Sequence, residues 1–342
     1  MSGILTAIWS ILIFSIVVFV HELGHFSAAK GFGVKVQEFA IGMGPAIFKK
    51  QRGETLYSVR AIPMGGYCKM EGEDESSEDA GSFSQKKPYQ RFIILFAGAL
   101  MNMILGFLIV ILSVSIYSDS IPTTYVQNVI PGLGAEQAGV LPGDKIIKID
   151  GKNVYTPMDI SIATDQREAV DVVVKRDGKS LSMSLPILPH EGRKIVGIRQ
   201  RADSKNLFNV IGYSYFESFS IIKFTYKSFF GMFRGEVSVD DMSGPIGIIS
   251  TIGEAAKKGF KDILFIAMLI SLNLGVMNLL PFPALDGGRI VFVLFEMITK
   301  KKPKPEIEGY IHLGGFVILI GFMLYVSKND IMRMDFMKFF IK

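Results

Sequence analysis

Cysteine is almost absent from this sequence: Cys68 is the only one. A single thiol excludes an intrachain disulfide, and Cys68 reads as an incidental thiol in a loop. Basic residues are missing from the N-terminal stretch, with no Lys or Arg before Lys30. That absence removes the positive n-region of a cleaved secretory signal, so the stretch reads as a retained span. Charge of either sign is missing from Ile4–Val20. The formal net charge of +5 comes without clustered nucleic-acid signatures, and no nucleic-acid partner is expected.

What is present is apolar residue in blocks. Hydrophobic residues make up 49% of the 342 residues, which decides little by itself. Their distribution decides more. Ile4–Val20, Phe92–Tyr117, Ile263–Leu280 and Ile311–Val326 each approach the roughly 20 residues that cross a bilayer as a helix. The expected fold is therefore a polytopic α-helical membrane protein with about four transmembrane helices, over about 4–28, 91–117, 262–281 and 309–327. A polar stretch between the second and third spans leaves room for a folded domain of about 70–80 residues. Four regions follow: an N-terminal membrane part over 1–118, a β-rich domain over 119–200, an interfacial amphipathic segment over 201–260, and a C-terminal membrane part over 261–342.

Lys30, Lys35, Lys49, Lys50, Arg52, Arg60, Lys69, Lys86, Lys87 and Arg91 follow the first span, and Arg289, Lys300, Lys301, Lys302 and Lys304 follow the third. The positive-inside rule puts both groups in the cytoplasm, hence the N-terminus and the domain after the second span outside. Basic residues in the tail, such as Lys328 and Arg333, pull weakly against this assignment. Phe208–Phe233 is aromatic-rich, but Glu217, Lys223 and Lys227 argue for a helix lying in the interface rather than a further span.

At the end of the first apolar run stands His21-Glu22-Leu23-Gly24-His25. On a helix, histidines at i and i+4 share one face and can bind one zinc, with the glutamate between them positioned as general base toward water. The bare pattern also occurs in solvated helices. Inside a membrane segment, however, ionisable residues are costly and mark a functional site by default. Zinc needs a third ligand. The third span runs inward and ends in Asn278-Leu279-Leu280-Pro281-Phe282-Pro283-Ala284-Leu285-Asp286-Gly287-Gly288, on the same side as the two histidines. Asp286 is the candidate; the bland alternative is a helix N-cap after the Pro-rich break.

From Tyr125 the sequence gives a short apolar strand, a small helix around Ala135–Ala138, a Pro142-Gly143-Asp144 turn and an alternating strand ending in Asp150-Gly151. Val172–Val174 and Leu181–Leu185 flank Asp177-Gly178 as a hairpin. This pattern resembles a PDZ domain of the bacterial protease type. Together with His-Glu-x-x-His and the Asn-x-x-Pro-x-Pro-x-Leu-Asp-Gly segment, in this order, it makes the chain resemble the site-2 protease family nearly end to end. Within that family it is most similar to bacterial regulated intramembrane zinc metalloproteases carrying one PDZ domain; some members carry two.

The resemblance implies Zn2+ held by His21, His25 and Asp286, and Glu22 as the catalytic residue. It implies substrate binding by Asn278, Pro281 and Pro283. Gly42-Met43-Gly44 resembles the glycine pair of a membrane-associated β-hairpin that pairs with substrate, so Gly42 and Gly44 join the substrate-binding set; an ordinary turn before Pro45 is the alternative. Implied partners are transmembrane protein substrates already trimmed outside the membrane (anti-sigma factors or signal-peptide remnants), peptide C-termini at the PDZ domain, and the lipid bilayer of a bacterial plasma membrane.

Ser243-Gly244-Pro245-Ile246-Gly247-Ile248 also matches a family segment, with no chemistry to assign. The acidic run Glu71-Gly72-Glu73-Asp74-Glu75 reads as a solvated cytoplasmic loop, and His190 and His312 as incidental. Two other classes stay open: a catalytically silent scaffold recruiting partners through its PDZ module, and a metal transporter, against which the polar groups gather at one depth rather than along a route.

Overall fold

A computed structural model describes residues 2–73, 77–165, 167–190, 193–235, 238 and 242–333. The chain runs α1 (Ser2–Gly31), β1 (Val36–Arg52), β2 (Thr55–Met70), α2 (Pro88–Tyr117), β3 (Ser120–Val129), α3 (Gly134–Gln137), β4 (Lys145–Ile149) and β5 (Lys152–Asn153). It continues through α4 (Pro157–Thr164), β6 (Ala169–Arg176), β7 (Lys179–Pro186), β8 (Leu188–His190), β9 (Arg193–Ile195) and β10 (Ile198–Ser204). Helices α5 (Leu207–Phe233), α6 (Pro245–Lys258), α7 (Phe260–Asn278), α8 (Asp286–Thr299) and α9 (Pro305–Arg333) complete it. Contacts group the residues up to Ile109 with those from Ser228 onward, and gather Val110–Lys227 into a second unit.

Among the described residues, four helices are long and apolar enough to cross a membrane: α1, α2, α7 and α9. The shortest, α7, has 19 residues and spans about 29 Å at 1.5 Å per residue, close to a hydrocarbon core of about 30 Å. Val317, Ile318 and Leu324 of α9 are each more than 60% exposed, as suits a face turned to lipid. Chain composition, helices and β structure together are those of a membrane protein with a β domain.

In the first unit, the segment read as a hairpin is more than one. The front of β1, Glu38–Ile41, pairs on one side with Gly66–Lys69 and on the other with Leu56–Val59, while Ala46–Arg52 pairs with Thr55–Arg60. Each long strand therefore doubles back, and the two make four antiparallel plies. Gly42 is where β1 turns: its φ is +85°, and an added Cβ would stand 2.5 Å from the Ile62 carbonyl oxygen, so neither the conformation nor the space admits a side chain. The sheet packs on the C-terminal part of α1 and the start of α2 through Val34, Val36, Phe39, Cys68, Met70, Ile94 and Leu95.

The interval 201–260 holds two helices. α6 is amphipathic by sequence and seats Ile252 and Ala255 against Ile13 and Val17 of α1. Its N-terminus is capped from a distance: Asp330 of α9, 3% exposed, accepts the Gly244 N–H at 3.1 Å and the Gly247 N–H at 2.9 Å. The Ser243–Ile248 segment, chemically silent in the sequence, is thus the seat of a carboxylate at a helix start.

The second unit carries a six-stranded sheet in the order β10-β3-β4-β6-β7, with β5 on β4. Inward residues of these strands fill one core: Val126, Ile146, Ile149, Val170, Val172, Val174 and Leu185, with a register shift between Ile146 and Lys148 that keeps both β4 isoleucines inside. The expected hairpin at Asp177-Gly178 is present, with φ of +49° and +82° at its two turn residues, the type I′ signature. Within this unit α5 lies on the α4 end: Tyr155 stacks on Phe216 at 4.6 Å between centroids, and Lys223 reaches the Asp159 carboxylate at 3.0 Å.

Candidate active site

The α1 helix carries His21 and His25 on one face, one turn apart, and both are buried at 8% and 6% exposure. Their Nε2 atoms lie 3.1 Å apart. Asp286 Oδ2 stands 3.2 Å from His21 Nε2 and 3.3 Å from His25 Nε2. Three ligand atoms around a tetrahedral zinc, with bonds of about 2.0–2.1 Å, would be spaced by about 3.3–3.4 Å. The observed triangle matches that spacing. Asp286 Oδ2 is moreover buried without a hydrogen-bond partner among the described residues, so the carboxylate is aimed at the histidines without bonding them. Among the described residues these three form the group that could hold a metal ion.

Asp286 is the first residue of α8, with Leu285 as the N-cap, so the capping alternative does not describe it. The loop before it folds back tightly over the first turn of α8. A Cβ at Gly287 would fall 2.0 Å from the Leu280 carbonyl oxygen and one at Gly288 2.4 Å from that of Phe282, which is why two glycines follow the aspartate. Ala284 has φ +76°, and its N–H donates to His312 Nδ1 at 2.9 Å. His312 is therefore not incidental. A contact between residues 28 apart in sequence, on a different helix, left no local trace.

Helix α2 supplies the other wall. His25 Nδ1–H donates to the Ile94 carbonyl at 2.8 Å, leaving the Nε2 lone pair toward Asp286. Gly98 faces the same ring, and a Cβ there would stand 2.2 Å from His25 Nε2. One turn on, the fully buried Asn102 places its amide nitrogen 3.3 Å from His21 Nδ1. Sequence reasoning missed Asn102; the signal was an amide inside the apolar run Phe92–Tyr117.

A cavity of about 430 Å³ opens on the triad, lined by His21, Glu22, His25, Tyr67–Met70, Glu73, Leu95, Ala284–Asp286 and Arg289. Glu22 lies beside β2, where a Cβ on Gly66 would come within 3.7 Å of its Cγ. Asn278 Nδ2 is 3.5 Å from His21 Nε2, so the end of α7 reaches the site. Pro281, Pro283, Gly42 and Gly44 do not line this cavity. Pro281 is exposed, and Pro283 packs against α9, where a Cβ on Gly315 would meet its own Cβ at 2.3 Å.

Two readings of the sequence are corrected here. Cys68 lies on a strand, not in a loop, and is 7% exposed on the cavity wall, because β2 turns that face toward α1. The acidic run is not simply solvated: Glu73 pairs with Arg289 at 2.6 Å, three residues beyond Asp286. Asp74 and Glu75 lie outside the described residues.

Two imidazoles and a carboxylate at zinc spacing, beside a glutamate and among membrane-length apolar helices, are the constellation of a membrane metalloprotease. The comparisons agree. A family model described as "Peptidase family M50" matches residues 9–322. A protein of Fusobacterium nucleatum named "Putative zinc metalloprotease" is 39% identical over 341 residues, covering 96% of this chain and 99% of the relative. Proteins carrying the same description from Clostridium perfringens and Clostridium acetobutylicum are 38% and 37% identical, covering 95% and 94% of this chain and 98% and 96% of the relatives. The chain belongs to peptidase family M50, the site-2 protease family, and is a zinc metalloprotease.

Proposed function

We propose that the protein hydrolyses peptide bonds within transmembrane segments of pre-trimmed membrane proteins, with zinc held by His21, His25 and Asp286. The observation that carries this reading is the triangle of 3.1, 3.2 and 3.3 Å among their ligand atoms, at the end of a membrane-length helix. Zinc bound there would polarise the scissile carbonyl and lower the pKa of water toward neutrality. Glu22, in the same cavity, takes the proton from the attacking water and delivers it to the leaving amine.

A transmembrane helix hides its amides in internal hydrogen bonds, so it must be opened before attack, and hydrocarbon cannot satisfy the groups that are freed. The outer edge of Gly66–Met70 supports a site for pairing: it is unpaired on that side among the described residues and runs beside Glu22. Substrate pairing is accordingly read on β2. Gly42 and Gly44 then act by letting the sheet fold, Gly44 accepting the Arg60 guanidinium at its carbonyl at 2.6 Å. Asn278 offers its amide to the opened backbone next to His21, and Pro281 and Pro283 shape the approach to Asp286. The β domain is read as an extracytoplasmic PDZ module that captures a new C-terminus or excludes untrimmed proteins; β10 pairs only with β3 among the described residues, leaving an edge for a peptide. The site then faces the cytoplasmic side of a bacterial plasma membrane.

Zinc analysis beside a cleavage assay on a model membrane helix tests the assignment. Asp286→Ala should lose both zinc and cleavage, whereas Glu22→Gln should keep zinc and lose cleavage by about 100-fold or more. Zinc and activity retained together in Asp286→Ala would refute the ligand set.

A further inference from the structure

Ile94, Gly98 and Asn102 recur every four residues on α2 and so form one stripe along it. Each member meets a histidine of α1. The Ile94 carbonyl holds His25 Nδ1 at 2.8 Å, Gly98 leaves room for the His25 ring, and the Asn102 amide lies 3.3 Å from His21 Nδ1. Asn102 is fixed in place: its side chain is fully buried, and its backbone carbonyl accepts the Ser271 hydroxyl of α7 at 2.8 Å.

Resting on the zinc reading above, we infer that Asn102 is a positioning residue for the metal centre: its amide oxygen accepts the Nδ1 proton of His21, holding the tautomer whose Nε2 lone pair points at Asp286. The argument runs from the histidine outward. His21 Nε2 is the atom within 3.2 Å of Asp286, so the lone pair belongs on Nε2 and the proton on Nδ1. A proton buried at Nδ1 needs an acceptor, and Asn102 offers one, Oδ1. In the structure Nδ2 faces the ring while Oδ1 is buried without a partner among the described residues. Amide oxygen and nitrogen are interchangeable by a half-turn that moves no other heavy atom. Neither orientation satisfies both ends of the amide, so the end that meets the histidine decides, and that end must be oxygen. His21 then receives from a side chain what His25 receives from the Ile94 backbone, and the two rings are held in the same tautomer.

The test is zinc affinity of the purified full chain in detergent, measured by competition with a chromophoric chelator after metal removal and refilling. Asn102→Leu keeps the volume and removes the acceptor, and should weaken zinc about 10- to 100-fold. Asn102→Asp can only accept at this position, and should hold zinc within a few-fold of wild type or more tightly. Wild-type affinity in Asn102→Leu would overturn the inference. So would a loss in Asn102→Asp as large as in Asn102→Leu, which is the result expected if the amide donates to Nδ1 instead. Should Asn102→Leu fail to fold, the aspartate variant decides alone between acceptor and donor. A wild-type chain that takes up no zinc would instead refute the underlying ligand assignment, so the two failures are distinguishable.

Discussion

The N–H of Ala284 donates to Nδ1 of His312 at 2.9 Å, tying the loop that presents Asp286 to helix α9. Ala284 sits at φ +76°, a conformation that costs a non-glycine residue of order 1 kcal/mol and persists where its surroundings dictate it. The accepting Nδ1 must carry a lone pair, so the proton is on Nε2, which lies 3.9 Å from Glu308. His312→Leu keeps an apolar body but strands the Ala284 N–H, and should cost about 1–2 kcal/mol of stability. Zinc affinity should fall with it, since Asp286 is two residues further on. His312→Gln restores an acceptor and should recover part of both. Thermal unfolding and zinc titration of the two variants check this; equal behaviour of Leu and Gln would show that packing, not the hydrogen bond, holds the loop.

Gly98 gives a sharper expectation because its clash is with a proposed ligand itself. An added methyl group would stand 2.2 Å from His25 Nε2, inside any allowed contact, and helix α2 is held at that depth by the Ser271–Asn102 hydrogen bond. The imidazole has to move rather than the helix. Overpacking of this kind costs about 1–3 kcal/mol, which read out as zinc affinity is one to two orders of magnitude. Gly98→Ala should therefore fold, bind zinc poorly and cleave poorly. Normal zinc occupancy in that variant would mean that α1 and α2 separate more easily than their packing indicates.

How far the site was legible follows from which of its contacts are local. His21, Glu22 and His25 were readable because four residues on one helix fix their relation before any tertiary structure forms. Asp286 was readable because span parity alone brings the ends of two spans running in the same direction, the first and the third, to one side. Its Asp-Gly-Gly context carried more than the break it suggested: both glycines exist to let the carbonyls of Leu280 and Phe282 close over α8. The surroundings of Asn102, His312 and Cys68 were not legible, for a common reason. Each acts through a partner 28 to 81 residues away or on a face that only the folded sheet defines. The doubling of β1 and β2 into four plies was hidden too, since glycine turns inside a strand mark a possible bend without fixing what the strand then meets.

The Asp330 cap allows the opposite kind of prediction, a loss of stability without loss of chemistry. Its carboxylate serves the Gly244 and Gly247 N–H groups at the start of α6, and α6 packs on α1 at Ile13 and Val17, two or more turns before His25, through Ile252 and Ala255. Asp330→Ala leaves those donors unserved and should cost about 1–2 kcal/mol, as caps do. Zinc stoichiometry at low temperature should be unchanged, because none of these residues lines the metal cavity. A fall in zinc affinity matching that of Gly98→Ala would contradict the separation of the two roles.

In the β domain, Arg176 grips Asp144 with both arms, Nε to Oδ1 and Nη2 to Oδ2 each at 2.7 Å, and the Leu141 N–H adds a third bond at 2.9 Å. The guanidinium beside it holds the Asp144 carboxyl below the usual carboxylate range; burial opposes this shift and the Leu141 bond reinforces it. A carboxylate whose folded pKa is depressed binds protons more weakly folded than unfolded. Its contribution to stability is therefore fully present above the unfolded value of about 4 and is lost as pH falls through the lower, folded value. The β domain should accordingly resist acid down to about pH 4 and loosen below it. Hydrogen exchange at amides of β4 and β6, followed in the full chain between neutral and acid pH, should show protection dropping in that window. Asp144→Asn removes the titration, so its exchange at neutral pH should already be faster and should depend less on acid. If wild type and Asp144→Asn lose protection over the same range to the same extent, another group controls the acid response.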